Sequence, residues 1–329
     1  MERIQLAHGS GGLENQQLIR TLFVEKFGNA ILDEQDDAAV LEVGKIAVST
    51  DAFTVKPLFF PGGDIGRLAV AGTANDVAMR GAEPLYLTVS FIIEEGFELP
   101  RLREIVASMA DELEQGGLQV VTGDTKVVPR GAIDGVMVTT TGIGRVLRDC
   151  SVKRIRPGDR LLVSGPVAEH GACIFAAREE ISVTGLVSDC RNLWPAVRPL
   201  LEQDLPVHAM RDATRGGLSA VLNEWAGQSG CELLIEEQRI PVSEQVAGFT
   251  ELLGLDPYVL ACEGVFLLAV AEEGSRRVLE LLHAAGQPQA TLIGRVGARA
   301  ATPRVVLTSA YGTERLMEYP SGEILPRIC

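Results

Sequence analysis

Strand-like and helix-like segments alternate along this chain in two successive rounds, which restricts it to an α/β arrangement built twice. In the first round, residues 15–27 carry Leu18, Leu22 and Phe23 at helical spacing, and short strands are predicted at 38–41 and 45–50. An Ala-rich helix is predicted over 64–79, stopped by Gly81 and Pro84, with a β-rich run after it at 85–93. A helix over 99–115 ends at Gly116-Gly117, and a strand at 118–121 enters Gly123-Asp124-Thr125-Lys126. A threonine-rich strand at 136–143 closes the round, and the turn-rich segment 154–159 separates it from the next. The second round restarts with a strand at 160–164, then helices at 168–178, 194–202 and 218–226. A strand at 264–271, a helix at 275–285 and strands at 291–296 and 304–308 follow. Past Ser309 the chain reads as an irregular, proline-bearing tail. Because 329 residues exceed what one core usually serves, the expectation is an α/β (α+β) protein of two domains. They are placed at 1–150 and 151–308, with a mobile tail at 309–329.

Charge and cysteine usage remove several function classes. A net charge of −14 opposes nucleic-acid binding, which needs clustered Lys and Arg on phosphates. The longest apolar runs are strand-length, too short to span a bilayer. Residues 1–5 carry no apolar signal segment, so the expected location is the cytoplasm, where thiols stay reduced. Cys150, Cys173, Cys190, Cys231, Cys262 and Cys329 form no Cys-x-x-Cys pair, and His170, His208 and His283 lack metal-ligand spacing.

The aspartates point to chemistry. Asp36-Asp37 precedes a strand-like segment, Asp51 follows one, Asp124 sits in Gly-Asp-Thr-Lys, and Asp212 sits in Arg-Asp-Ala-Thr-Arg-Gly-Gly. Asn75-Asp76 interrupts a strongly apolar helix, and a carboxylate facing such a core needs a partner or a cation. A single aspartate can serve as a turn or cap residue, a reading that fits Asp36 as well as function does, whereas Asp76 and Asp124 point to function. The aspartates at these five places, several beside small residues, together suit Mg²⁺ shared with the phosphates of ATP. Three glycine-rich segments, 8–12, 61–63 and 215–217, supply backbone amides for an anion, although none matches the Walker or dinucleotide fingerprint. The sequence closes on Cys329, a thiol on a tail long enough to cross a domain at about 3.3–3.6 Å per residue. Thiolates carry acyl-type groups.

Ala7-His-Gly-Ser-Gly-Gly12, Phe59-Phe-Pro-Gly-Gly63, Gly72-Thr-Ala-Asn-Asp-Val77, Val121-Thr-Gly-Asp-Thr-Lys-Val127, Arg211-Asp-Ala-Thr-Arg-Gly-Gly217 and Pro326-Arg-Ile-Cys329 together resemble the HypE family. These are the carbamoyl dehydratases of nickel–iron hydrogenase maturation, within the superfamily of aminoimidazole ribonucleotide synthetase and selenophosphate synthetase. The resemblance implies that superfamily's two-domain ATP-binding fold, a homodimer formed by the N-terminal domains, and ATP with Mg²⁺ as cofactors. It also implies a HypF-type carbamoyltransferase that loads Cys329, and a HypC–HypD-type scaffold that receives cyanide for iron. The carbamoyl group would be dehydrated to a thiocyanate, with Glu263 as base and Lys126 neutralising charge or moving a proton. Asp37, Asp51, Asn75, Asp76, Gly123, Asp124, Thr125, Asp212, Thr214 and Arg215 would bind ATP, with Asp37, Asp51, Asp76 and Asp212 on the metal. Cys262 stands where the family pattern leads one to expect a polar side chain. Two other readings remain: a non-catalytic, ATP-switched carrier using the terminal thiol, and a selenophosphate synthetase-like enzyme. The latter would need a reactive Cys and a Lys in segment 8–12, which holds neither.

Overall fold

A computed structural model of the chain describes residues 3–5, 17–29 and 44–320. The expectations placed on segment 8–12, Asp36, Asp37, the strand at 38–41 and Cys329 lie outside the described residues. The predicted first helix is described from residue 17, and over Ile19–Val24 it has π geometry before continuing as Glu25–Phe27.

The N-terminal sheet comprises β1 (Ile46–Phe53), β4 (Ala82–Glu94), β5 (Gln119–Val128) and β6 (Val136–Val146), in the order β1-β6-β4-β5. A two-residue ladder, β2 (Phe59–Phe60) with β3 (Gly63–Asp64), lies between β1 and the first long helix. That helix, α1 (Ile65–Met79), begins at the Asp64 side chain, whose Oδ1 accepts from the Gly66 and Arg67 amides at 2.7 and 3.0 Å. Leu87, Val89, Phe91 and Ile93 alternate along β4 and are buried against α1 and α2 (Leu99–Gly116). The connection α2 also supplies the crossover that the parallel pair β4–β5 requires, and it ends at Gly117 with φ +68°. Pro84 does not precede the strand as expected but lies inside it. It falls before β5 pairing begins at Tyr86, so its missing N–H leaves no neighbour unpaired.

Among the described residues the C-terminal sheet has seven strands in the order β13-β12-β9-β11-β7-β10-β8. They are β7 (Arg160–Val163), β8 (Val207–Asp212), β9 (Cys231–Glu236), β10 (Phe266–Val270), β11 (Thr291–Arg299), β12 (Val305–Thr308) and β13 (Glu314–Leu316). Helices α3 (Glu169–Arg178), α4 (Trp194–Glu202), α5 (Gly217–Ser229), α6 (Glu244–Leu253) and α7 (Glu272–Ala284) complete the domain. Strand β10 reads as an unbroken apolar run because both its faces are covered: Leu267 and Ala269 join one core cluster, Phe266, Leu268 and Val270 another. Three elements carry too little pattern to stand out in the sequence. Strand β8 (VHAMRD) is buried despite three polar residues, β9 is only six residues long, and α6 contains Gly248.

The expected tail at 309–329 begins later than predicted. A turn at Ser309–Gly312 returns the chain as β13, which pairs with β12 through Val306–Leu316 and Thr308–Glu314. Met317 is buried. The Ser219 hydroxyl donates to the Glu318 carbonyl at 2.6 Å, Asn223 Nδ2 donates to the Met317 carbonyl at 3.0 Å, and the Tyr319 hydroxyl meets Glu224 at 3.1 Å. Helix α5 thus holds the chain as far as Tyr319.

Candidate active site

Where the two domains meet, a cleft of about 980 Å³ opens between β1, α1, the end of β8 and the start of α5. Ser49 and Asp51 share one face of β1 by the two-residue strand period, and Thr73 and Asp76 share one face of α1 by the three-residue helical spacing. The elements exchange these groups. Ser49 Oγ donates to Asp76 Oδ2 at 2.6 Å, and Thr73 Oγ1 donates to Asp51 Oδ2 at 2.9 Å. The partner that the apolar helix demanded for Asp76 is therefore a strand hydroxyl. Burial still pushes the Asp76 carboxyl above the usual range, with the Asp51 charge adding to the rise.

Asp212 enters from the C-terminal domain as the last residue of β8, opposite Phe266 of β10. It is 5% exposed and its Oδ2 is buried with no hydrogen-bond donor among the described residues. Burial and the neighbouring Asp76 raise its pKa to about 8. The Gly216-Gly217 turn follows, with φ of +76° and +58°, and α5 starts facing the cleft. A Cβ on Gly217 would lie 2.4 Å from the Leu260 carbonyl oxygen, so only glycine lets the helix start dock there. Thr214 and Arg215 line the cleft, and Arg215 is exposed.

Glu263 lies in the bend before β10, 5% exposed, with its carboxylate over α1: a Cβ on Gly72 would sit 3.8 Å from Glu263 Oε2. Burial, then the charges of Asp212, Asp189, Asp76 and Asp51, hold its pKa far above the ordinary value. Cys262 replaces the expected polar side chain without an unsatisfied group, since its Sγ accepts the Ala168 amide at 3.1 Å.

Asp51, Asp76, Asp212, Thr214, Arg215 and Glu263 are thus brought to one cleft. The other expectations fall elsewhere. Asn75 faces away from the cleft, one position and about 100° of helix from Asp76, and ties the domains together. Its Nδ2 donates to the Arg191 and Glu263 carbonyls at 3.1 and 3.4 Å, and its Oδ1 accepts the Leu193 amide at 2.7 Å. Gly123, Asp124, Thr125 and Lys126 are not at the mouth of a loop but inside β5, at the opposite edge of the sheet from β1. Within a single chain they do not line the cleft. Paired residues share a face, and Ser90 and Ile92 stand beside Asp124 and Lys126, which places both on the side turned away from α1. Residues absent from the sequence reading also appear: Ser49, Thr73, Tyr319 and Pro320 line or support the cleft. Spacing puts Ser49 with Asp51 and Thr73 with Asp76 on one face each, but which hydroxyl meets which carboxylate is set by the contact between β1 and α1.

An ion fits this donor set. Hard oxygen ligands converge, and the buried, unpartnered Asp212 Oδ2 faces a cleft rather than a core. Among the described residues no group of three acidic, His or Cys side chains forms a ready-made metal cage.

The chain matches two families along its length: "AIR synthase related protein, N-terminal domain" over residues 35–146 and "AIR synthase related protein, C-terminal domain" over 156–305. The carbamoyl dehydratase HypE of Escherichia coli (strain K12) is 46% identical over 341 residues, covering 100% of both chains. The chain belongs to the HypE family. A crystal structure of the hydrogenase maturation protein HypE in complex with ATP superposes with a TM-score of 0.95 at 43% identity, covering 99% of each chain. HypE in a HypE–HypF complex matches with a TM-score of 0.81 at 40% identity, over 92% of this chain and 99% of that one. The two-domain fold of the aminoimidazole ribonucleotide synthetase type is therefore the fold of this protein. No helix among the described residues is long and apolar enough to cross a membrane.

Proposed function

We infer that this HypE-family chain is an ATP-dependent carbamoyl dehydratase that acts on a carbamoyl group carried by its own Cys329. One observation carries the reading. Carboxylates from both domains converge in a cleft whose rim includes Tyr319 and Pro320, where the segment leading to Cys329 departs. Cys329 is the ninth residue after Pro320. At about 3.3–3.6 Å per residue this segment reaches roughly 30 Å, enough to return the thiol into the cleft.

The chemistry follows from the groups present. The carbamoyl oxygen takes the terminal phosphoryl group of ATP and ADP leaves; the oxygen then departs as phosphate while nitrogen gives up two protons and C≡N forms on sulfur. Glu263, buried and strongly basic once ionised, accepts a proton from that nitrogen. Thr214, Arg215 and the amides at the start of α5 bind phosphate. Asp51, Asp76 and Asp212, with Asp37, would hold Mg²⁺, which when bound neutralises phosphate charge. A pure carrier has no use for a buried carboxylate such as Glu263.

A homodimer brings in the remaining residues. The sheet face turned away from α1 carries Val48, Tyr86, Ile92, Met137 and Ile143 among threonines, and Val48 is 58% exposed. A solvated face normally alternates to polar residues, so this one is suited to a second copy. Asp124 and Lys126 lie on that same face, and Lys126 with Gly123, Asp124 and Thr125 serves the nucleotide site across the dimer. A HypF-type carbamoyltransferase loads Cys329, and a HypC–HypD-type scaffold accepts the cyanide. The setting is the cytoplasm.

The test is intact-mass analysis of the full chain after loading by the carbamoyltransferase and addition of ATP with Mg²⁺. The expected result is ADP formation with loss of one water mass from the peptide bearing Cys329, and Cys329→Ala binding ATP without either change. ATP cleavage with no loss of mass, or full turnover by Cys329→Ala, would overturn the reading.

A further inference from the structure

The geometry points to Asp189, acting with Arg191 and Asn75, as the device that positions Glu263 for proton abstraction. This inference rests on the reading of Glu263 as base. Glu263 sits in a bend rather than in regular structure, so no ladder or helix fixes its backbone. Side chains do so instead, and every backbone polar group of Glu263 and Gly264 has one as partner. Asp189 Oδ1 accepts the Glu263 amide at 3.1 Å, and Oδ2 accepts the Gly264 amide at 2.9 Å. Asn75 Nδ2 donates to the Glu263 carbonyl at 3.4 Å. Arg191 donates to the Gly264 carbonyl through Nε at 3.2 Å and Nη2 at 3.0 Å, and its Nη2 is braced by Gln287 at 2.8 Å.

Shape reinforces the hydrogen bonds. A Cβ on Gly264 would lie 1.8 Å from the Asp189 carbonyl oxygen, so the segment 189–191 lies directly on the bend only because residue 264 is glycine. Asp189 and Arg191 also line a second cavity of about 490 Å³, whereas Glu263 lines the cleft. Asp189 and Arg191 therefore form the wall behind the base and do not themselves line the nucleotide cleft. Asn75 adds a link to that cleft, because it adjoins Asp76 on α1 and holds the Arg191 and Glu263 carbonyls from the same amide. The base and a carboxylate of the cleft are thereby held in one frame spanning both domains.

Asp189→Asn is the informative substitution, because one of its two acceptor oxygens becomes a donor facing a backbone N–H. The expected result on the carbamoylated full-length chain is a single-turnover dehydration rate lowered by about 100-fold, the effect of displacing a reacting group by around 1 Å. The KM for ATP stays at the wild-type value, and the double variant Asp189→Asn/Glu263→Gln is no slower than Glu263→Gln alone. Arg191→Lys, which keeps charge but loses the fork, shows the same split with a smaller fall. Fully additive losses in the double variant, or a KM for ATP that rises in step with the fall in rate, overturn the positioning role. A wild-type rate in Glu263→Gln is a separate result that removes the base assignment itself. Far-UV circular dichroism of each variant excludes global unfolding as the source of a lost rate.

Discussion

Asp212 combines three properties that a surface aspartate never shows together: burial, an oxygen with no donor, and two carboxylate neighbours in Asp76 and Asp51. Its pKa rises to about 8, against about 3.9 in an unfolded chain. A raised acid binds its proton more tightly when folded. Its contribution to stability is complete below the unfolded value and disappears as pH rises through about 8. Burial raises Glu263 in the same sense. The ligand-free protein should accordingly lose melting temperature as pH climbs from about 6 to about 9, and Asp212→Asn should flatten that slope; calorimetry across the range reads both. Metal binding has the opposite pH dependence, since a ligand carboxylate must first lose its proton. The aspartates were visible in the sequence through their setting beside small residues. Their hydroxyl partners Ser49 and Thr73 were not, because the exchange joins a strand to a helix more than twenty residues away.

Helix α5 shows how an element aims chemistry. Its Gly-Gly start has positive φ at both residues and packs against the 258–260 carbonyls, which sets the first helical amides toward the cleft. Its far side anchors Met317 and Glu318 through Asn223 and Ser219. Two glycine substitutions in this helix should move stability in opposite directions. Gly217→Ala meets the Leu260 oxygen and an unfavourable φ, costing about 1–3 kcal/mol and weakening ATP binding. Gly227→Ala meets nothing within 4 Å on the exposed helix face and should add about 0.5–1 kcal/mol. Chemical denaturation of the two variants compares them directly. The sequence offered this segment as one of three glycine-rich sources of amides for an anion, and it does fall at a helix start, a setting that favours anions.

At the scale of the whole molecule, two sheets are joined by α1, which is apolar on nearly every side because the N-terminal sheet and the C-terminal domain both pack on it. The N-terminal sheet leaves its other face open, with Val48 and Ile46 as its most exposed large apolar residues. If the proposed homodimer forms through this face, Val48→Glu should sediment as a monomer, and dehydration should fall with it because the proposed contribution of Lys126 across the dimer is lost. A variant that stays dimeric, or a monomer with full activity, would remove the second copy from the site.

The residues alone determined the alternating α/β plan, the pairing of small residues with aspartates, and a carboxylate in the apolar helix that required a partner. These are local properties, set by spacing along one or two elements. The terminal thiol was legible in the residues too, and the family motifs added Glu263 and the carbamoyl cargo of that thiol. Tertiary structure decided what depends on contact between distant segments. It turned Asn75 away from the cleft, placed Gly123–Lys126 inside a strand at the far sheet edge, and extended order past Ser309 through β13. It also built the clamp on Glu263 from residues 75, 189 and 191. No periodicity encodes such a clamp, because its hydrogen bonds join backbone groups to side chains up to 188 positions apart. The Asn75 bonds exist only once the two domains meet along α1.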